Sequence, residues 1–152
     1  MHASLGYDES KIRVIPNGFD LSLFRPDPAA RQDVRSQLGI PFDAPVIGRF
    51  GRFDPQKDYQ GFVDASARLH RIRPDVHFVL CGLNIDANNA ALTRWIEEAG
   101  ITSVCHLLGY RRDVARVMAA LDIAASSSSY GEAFPNVLAE AMACAVPCVA
   151  TD

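Results

Sequence analysis

The sequence predicts an α/β fold in which a doubly wound parallel sheet is covered by helices on both faces. From position 46 onward, short apolar segments alternate with longer segments whose apolar residues recur at helical spacing. The segment 76–81, VHFVLC, is apolar almost throughout, which is typical of a parallel strand buried on both faces. Alternation of strand and helix favours a parallel sheet, because parallel strands need crossover connections.

The predicted strands are short apolar runs, and glycine or serine ends most of them. They cover residues 46–50, 76–81, 104–108, 122–127 and 146–150. The predicted helices cover residues 29–38, 59–72, 89–99 and 113–121, and a further helix opens at Pro135. The residues that share one face at helical spacing are Phe62, Ser66 and Leu69 in the second helix, Leu92, Trp95, Ile96 and Ala99 in the third, and Val114, Val117, Met118 and Leu121 in the fourth.

The first 42 residues lack this alternation. Residues 11–16, KIRVIP, form a predicted short strand that ends at the turn Asn17–Gly18. Several prolines bracket helix 29–38, and Gly39 ends it. We therefore interpret residues 1–42 as a connecting region and residues 43–152 as the sheet domain.

The composition excludes several classes of function. Of the 152 residues, 49% are hydrophobic and 22% charged, which is typical of a globular domain. The formal net charge of −3 gives no basic surface of the kind that binds nucleic acid. No apolar run approaches the ~20 residues that span a bilayer. The cysteines form no CxxC pair, so we expect reduced thiols and a cytoplasmic protein.

The loop after the first sheet strand carries two cations. Arg52 and Lys57 lie five positions apart in GRFDPQK, which begins at Gly51. Ligands of such sheets bind beyond the carboxyl ends of the strands, so both side chains can turn toward one phosphate group. A solvated loop with ordinary surface charges is the alternative. Neither GxxxxGK[ST] nor GxGxxG is present, which disfavours a Walker or NAD-type site.

The segment 126–144, SSSSYGEAFPNVLAEAMAC, joins the fourth sheet strand to a helix rich in small residues. Pro135 suits the first helical position, and the unpaired N–H groups of a helix N-terminus favour a phosphate ligand. Glu132 lies just before the helix, and Glu140 lies eight positions later, inside it. Both carboxylates can accept hydrogen bonds from sugar hydroxyls. A buried amphipathic helix with two solvated glutamates is the alternative.

A third loop follows the strand at 104–108. Gly109 allows the backbone to approach a flat ligand, and Tyr110 or Arg111 can flank a base. A plain turn at the end of a strand is the alternative. Asp-x-Asp is absent from the sequence, so we expect no carboxylate clamp for a metal-bound diphosphate.

Four motifs occur in order: IPNGFD at 15–20, GRFDPQK at 51–57, LGY at 108–110 and EAFPNVLAEAMACAVPCVATD at 132–152. Together they resemble the donor half of GT-B retaining glycosyltransferases of the glycosyl transferase group 1, or GT4, type. The resemblance covers roughly residues 11–152. It implies a Rossmann-like sheet that forms the C-terminal half of a GT-B fold, with residues 1–42 holding the end of the N-terminal domain and the connector.

The resemblance implies that the donor is a UDP- or GDP-linked sugar and that no metal or other cofactor takes part. Arg52 and Lys57, beside Gly51, would hold its diphosphate. Glu140 would bind the ribose hydroxyls, and the backbone around Tyr110 would contact the base.

The transferred sugar would be oriented by Glu132 together with the backbone of Phe134, Pro135 and Asn136. The residues that the resemblance assigns to catalysis are Glu132, Arg52 and Lys57. A sugar or lipid-linked acceptor would bind through the N-terminal domain, and a lipid-linked acceptor would bring the full-length protein to the inner face of the membrane. We expect the chain alone to catalyse no transfer, because only one wall of the cleft is present.

Two residues depart from the family pattern. Ala133 and Ala145 stand where glycine is usual, and each adds a methyl group at a tight backbone. Two other functions remain open at this point. Glu132 and Glu140 could form the acid and nucleophile of a glycoside hydrolase, although a cationic loop has no use there. The same scaffold could also serve as a non-catalytic nucleotide-binding or interaction module.

Overall fold

The computed structural model describes residues 5–132 and 134–151, with the exception of the Glu9 side chain. The strands of this part are β1 (Val46–Phe50), β2 (His77–Cys81), β3 (Cys105–Leu107), β4 (Ile123–Ser126) and β5 (Cys148–Ala150). The α-helices are α1 (Pro28–Gln37), α2 (Tyr59–Ile72), α3 (Ala90–Glu98), α4 (Val114–Ala119) and α5 (Asn136–Ala143). Among the described residues, 3-10 turns cover Glu9–Lys11 and Pro55–Lys57.

The five strands form one sheet in the order β3-β2-β1-β4-β5, and every neighbouring pair is parallel. The chain first moves outward from β1 to β3 and then crosses back to place β4 on the other side of β1. The strand order therefore reverses between β1 and β4, which is where doubly wound sheets bind ligands. The predicted fold class is confirmed.

Successive residues of β2 point into two different layers of the core. Phe78 and Leu80 belong to the apolar cluster that contains residues of α2 and α3. Val79 and Cys81 belong to the cluster that contains residues of α4 and α5. The sheet is thus covered on both faces, as the apolar run at 76–81 predicts.

The predicted elements of the sheet domain are all present. The bounds of β1 and α2 agree with the prediction. Helix α1 has the predicted length but begins one residue earlier, and β2 to β5, α3 and α4 are one to three residues shorter than predicted. All four cysteines are free, as expected. None of the helices in the described part of the chain is long and apolar enough to cross a membrane.

Two local predictions are wrong. Lys11 ends a 3-10 turn, and residues 12–16 have no regular structure, with Val14 and Ile15 exposed to solvent. A strand needs a neighbour for its backbone hydrogen bonds, and no described strand pairs with this segment. Pro135 is the N-cap of α5 with an extended ψ of 97°, rather than its first helical residue.

Candidate functional site

The ends of β1, β2 and β3 are held close together by glycines at the carboxyl edge of the sheet. The Gly51 N–H donates to the Cys81 carbonyl at 3.0 Å, and the Gly82 N–H donates to the Gly109 carbonyl at 2.9 Å. Gly82 has a φ of +153°, and a Cβ there would lie 1.9 Å from the Gly51 carbonyl oxygen. Only glycine fits this position, so the loops after these strands emerge side by side.

Two aspartates cap the turns on either side of Lys57. Asp54 accepts a hydrogen bond from the Gln56 N–H at 2.9 Å and begins the 3-10 turn, with Pro55 as its first residue. Asp58 accepts from the Gly61 N–H at 2.9 Å and caps α2. Lys57 therefore occupies a short, doubly capped corner between β1 and α2.

Lys57 and Glu132, predicted separately from two loops, form an ion pair in the structure. Their side chains are 16% and 23% exposed, and the Ser128 hydroxyl also donates to the Glu132 carboxylate at 2.9 Å. The hydrogen bond from Lys57, supported by Ser128, holds the pKa of Glu132 below its ordinary value despite partial burial. The carboxylate is therefore ionised and the lysine charge is offset before any ligand binds.

Arg52 lies on the same loop, but its guanidinium points to a different partner. The side chain is 59% exposed, and its Nε donates to the Asp54 carboxylate at 3.0 Å. Hydrogen bonds from the Gln56 N–H and from Arg52 lower the pKa of Asp54. Arg52 thus stands at the rim of the corner and can turn toward a ligand without any change in the core.

A cavity of about 230 Å³ lies at the start of α5, between this helix and the connector. Its lining contains Asn17, Phe19, Asn136 and Glu140. The Asn17 side-chain amide donates to the Asn136 side-chain oxygen at 3.0 Å. Burial raises the pKa of Glu140, and no hydrogen bond or ion pair reaches its carboxylate from residues 5–132 or 134–151. The Glu140 carboxylate is thus available to a ligand.

The aromatic residue before α5 also contacts the connector. The rings of Phe134 and Phe19 are 6.2 Å apart at a tilt of 32°. Pro135 follows Phe134 and caps the helix through its backbone. Residues 17–20 of the IPNGFD motif therefore line the cavity together with Asn136, and Phe134 contacts the same motif through the Phe19 ring.

Tyr110 follows Gly109 at the end of β3 and is largely exposed. The neighbouring Arg111 donates to both oxygens of Asp113, at 2.7 and 2.5 Å. The Arg111 guanidinium is thereby held by its own loop, which leaves the Tyr110 ring and backbone as the accessible part of this turn.

The two departures from the family pattern have different outcomes. Ala133 lies outside the described residues. Ala145 has a φ of +59°, in the left-handed region that favours glycine, and it connects the end of α5 to β5. The usual glycine at this position therefore has a conformational reason.

Sequence reasoning missed one functional candidate, Arg49. Its guanidinium is fully buried beneath the loop that carries Lys57 and donates to the Lys57 carbonyl. The available signal was a charged residue in VIGRF, the otherwise uncharged first strand of the predicted parallel sheet.

A larger cavity of about 390 Å³ lies beside α2 and is lined mainly by apolar residues. None of the predicted site residues borders it, so it offers a charged ligand no cationic partner from that set. Among residues 5–132 and 134–151, no group of three or more His, Cys, Asp or Glu is arranged to hold a metal ion. The expectation that no metal takes part stays a prediction.

Comparison with known proteins identifies the family to which this chain is similar. The family described as "Glycosyl transferases group 1" matches residues 30–152. A D-inositol 3-phosphate glycosyltransferase of Corynebacterium jeikeium is 38% identical over 156 aligned residues, which cover 96% of this chain and 37% of that protein. A protein of the same name from Mycobacterium leprae is 37% identical and is covered to 33%. The chain thus spans about a third of the length of these relatives.

Solved structures agree with the same assignment. Anabaena HepE in complex with UDP-glucose superimposes with a TM-score of 0.83 and 32% identity, over 97% of this chain and 40% of that one. The C-terminal domain of a glycosyl transferase group 1 family protein from Francisella tularensis gives a TM-score of 0.73 at 27% identity, over 88% of this chain and 70% of that one. The chain belongs to the group 1 glycosyl transferases, and its fold matches the C-terminal half of a GT-B enzyme.

Proposed function

We propose that this chain is the donor-binding part of a retaining glycosyltransferase that uses a nucleotide-diphosphate sugar. The observation that carries the proposal is the meeting of Lys57 and Glu132 at the carboxyl edge of the sheet, next to the N-terminus of α5. A cation for phosphate and a carboxylate for sugar hydroxyls are then adjacent, at the switch point between β1 and β4.

Binding of the donor would redistribute the charges of this corner. In the free chain the Lys57 ammonium is paired with Glu132, so a diphosphate must share or replace that contact. Arg52, exposed at the rim, can add a second cation by turning away from Asp54. Cations that face the leaving diphosphate stabilise the negative charge that develops on it in the transition state. Glu132 would then be free to accept hydrogen bonds from the transferred sugar.

The nucleotide would extend from this corner across the sheet edge. Glu140 lines the cavity at α5 and has an ionisable carboxylate without a protein partner in the described residues, which suits the two ribose hydroxyls. The base would lie toward the exposed turn at Tyr110. UDP-glucose is present in the HepE complex, and uridine nucleotides are therefore the first ligands to test.

The complete reaction would require more than this chain. Catalysis depends on holding donor and acceptor together in a site that excludes water, and the described residues form one wall of such a site. The acceptor, a sugar or a lipid-linked molecule, would bind to the remainder of the full-length protein. A lipid-linked acceptor would bring that protein to the inner face of the membrane.

Calorimetry with UDP, GDP, ADP and a simple glycoside tests the proposal on the chain itself. We expect one nucleoside diphosphate to bind with a free energy of roughly −4 to −6 kcal/mol, since an open half-site buries only part of its ligand. Binding of the glycoside alone would favour a hydrolase. No binding of any nucleotide would favour an interaction module and contradict the proposal.

A further inference from the structure

Arg49 lies in the central strand β1, and only 1% of the residue is exposed. Its Nη1 donates to the Phe50 carbonyl at 2.8 Å, its Nε donates to the Ser127 hydroxyl at 3.1 Å, and its Nη2 donates to the Lys57 carbonyl. The guanidinium carbon also lies 4.7 Å from the centre of the Tyr59 ring. The planar fork of arginine therefore satisfies three oxygens in three directions.

This arrangement is costly, because all three oxygens are neutral. Among the described residues, no carboxylate lies within ion-pair distance of Arg49. A buried cation without an acidic partner loses hydration that neutral hydrogen bonds only partly replace. Burial accordingly lowers the pKa of Arg49, although Tyr59, Glu132 and Asp58 act in the opposite direction.

The three acceptor oxygens belong to the segments that build the candidate site. Phe50 ends β1, Lys57 ends the 3-10 turn, and Ser127 begins the loop that leads to Glu132. The Ser127 hydroxyl also lies 3.0 Å from the carbonyl oxygens of Lys57 and Asp58. Arg49 and Ser127 together tie the Lys57 loop to the Glu132 loop from below.

From these contacts we infer that Arg49 is a positioning residue for the diphosphate of the donor. It fixes the backbone of Lys57 relative to the loop of residues 127–132, so that the ammonium and the Glu132 carboxylate meet over the ligand. Arg49 itself touches no ligand. The inference rests on the proposed function, and it assigns to a buried strand residue a role in binding.

The test is a double-mutant cycle read with two ligands. UDP and uridine are titrated by calorimetry into the unchanged chain, Arg49→Met, Lys57→Met and the double variant. We expect Arg49→Met to weaken UDP binding about tenfold and uridine binding less than about twofold. Because Arg49 acts through Lys57, the double variant should bind UDP no more than about twofold more weakly than Lys57→Met. Independent, additive losses would overturn the inference.

Two further variants separate positioning from folding and from charge. Arg35→Met removes an arginine that is also 1% exposed but lies at the opposite edge of the sheet, and it should leave UDP affinity unchanged. Arg49→Lys keeps the positive charge but cannot bond all three oxygens, so it should bind UDP almost as weakly as Arg49→Met. Full affinity in Arg49→Lys, or equal losses of UDP and uridine in Arg49→Met, would contradict the role.

A second measurement does not depend on nucleotide binding. Carbon-13 NMR titration of the Glu132 carboxyl group reports whether the ion pair with Lys57 persists. The signal of this carboxyl group is assigned by its absence from the spectrum of Glu132→Gln. We expect the pKa of Glu132 to rise toward the ordinary glutamate value in Arg49→Met and Arg49→Lys, and to stay low in Arg35→Met. An unchanged pKa in the Arg49 variants would overturn the inference even if no nucleotide bound, and absence of nucleotide binding alone would count against the proposed function instead.

Discussion

Two arginines of this chain are equally buried and lie at opposite edges of one sheet. Arg35, in α1, reaches the amino edge, where it forms an ion pair with Asp122 at 2.7 Å and donates to backbone carbonyls. Arg49, in β1, reaches the carboxyl edge, where its acceptors are neutral oxygens. The two residues that flank β4 each bind one of these arginines. Asp122, just before the strand, binds Arg35, and Ser127, just after it, binds Arg49.

The difference lies in how each edge handles charge. The Asp122 carboxylate accepts hydrogen bonds from Arg31 at 2.6 Å, from Arg35 at 2.7 Å and from the Val46 N–H at 2.7 Å. At the other edge, Glu132 lies near Arg49 but pairs with Lys57, close to the surface. The amino edge therefore satisfies its charges internally, which stabilises the fold, whereas the carboxyl edge keeps cations where a ligand can use them. We expect substitutions at the first edge to change stability and those at the second to change binding.

The largest effect should come from Asp122→Asn. Loss of the carboxylate leaves Arg35 buried and uncompensated, and we expect a loss of about 3 kcal/mol in the free energy of unfolding. This is the lower end of the range for breaking a buried pair, because Asp122 itself is partly exposed. Urea denaturation measures it, and Asp43→Asn, at an exposed position nearby, is the control. Loss of UDP affinity without loss of stability would contradict the assignment of the amino edge to stability and the carboxyl edge to binding.

Acid should weaken the same contact. Burial acts to raise the pKa of Asp122, but the hydrogen bonds from Arg31, Arg35 and the Val46 N–H outweigh it and hold the pKa below its ordinary value. A carboxyl whose pKa is lower in the folded state contributes stability above its unfolded pKa and loses it as the pH falls through the folded value. The unfolding free energy of the unchanged chain should therefore drop below about pH 4 more steeply than that of Asp122→Asn. Parallel curves would show that Asp122 is not the titrating group.

The next effect should appear at the carboxyl edge, in nucleotide binding. Lys57→Met should weaken UDP binding by about 1.5–3 kcal/mol, since a charge-assisted contact to phosphate is lost, while uridine binding stays nearly constant. Arg52→Ala should act in the same direction with a smaller loss, because Arg52 is exposed and must first leave Asp54. Calorimetry measures the affinities of both variants for UDP and for uridine. A larger loss for Arg52 would mean that the rim cation holds the diphosphate.

The two edges also differ in how far the sequence predicts them. The bounds of β1 and α2 follow from local features, since Gly51 ends the strand and Asp58 caps the helix. The pairing of Lys57 with Glu132 joins positions 75 residues apart, and it depends on which strand lies beside β1. The sequence shows that each residue follows a strand, but only the strand order brings them together.

Two other features need the packed structure for a related reason. Arg49 looks like an anomaly in an apolar strand until the carbonyl of Lys57 and the hydroxyl of Ser127 are seen around it. The segment 11–16 has the composition of a strand, yet an extended segment becomes a strand only beside a partner, which the described residues do not provide. The local sequence pattern thus predicts most helices and strands, whereas long-range contacts determine which strands pair and which side chains meet.

A smaller binding effect tests the ribose contact. Glu140→Gln keeps the size of the side chain and one acceptor oxygen but removes its charge, so the affinity for UDP should fall about three- to tenfold. A 2′,3′-dideoxy analogue lacks both hydroxyls and should bind the two proteins alike. Thermal stability should not decrease, because Glu140 has no partner to lose among the described residues and burial raises its pKa. Equal losses for both nucleotides would remove the ribose assignment.

The smallest effect should be a gain of stability at the amino edge, where Ala145 leads from α5 into β5. Its N–H donates to the Met142 carbonyl at 2.9 Å, and the next N–H, of Val146, donates to the Ala141 carbonyl at 3.0 Å. These bonds close the end of α5 and require the positive φ of Ala145, where a Cβ crowds the following carbonyl oxygen. Ala145→Gly should remove this strain and raise the free energy of unfolding by about 1 kcal/mol, less a few tenths for the added freedom of the unfolded chain.

Urea denaturation of Ala145→Gly beside Ala139→Gly separates this gain from a general effect of glycine. Ala139 lies inside α5, where glycine should cost about 1 kcal/mol. Opposite signs at two alanines only six positions apart would show that backbone conformation, rather than residue size, sets the preference at Ala145. UDP affinity should be the same in Ala145→Gly as in the unchanged chain, because the strain lies at the amino edge. A change in affinity without a change in stability would show that the turn after α5 acts on the donor site. It would contradict the claim that substitutions at the amino edge change stability rather than binding.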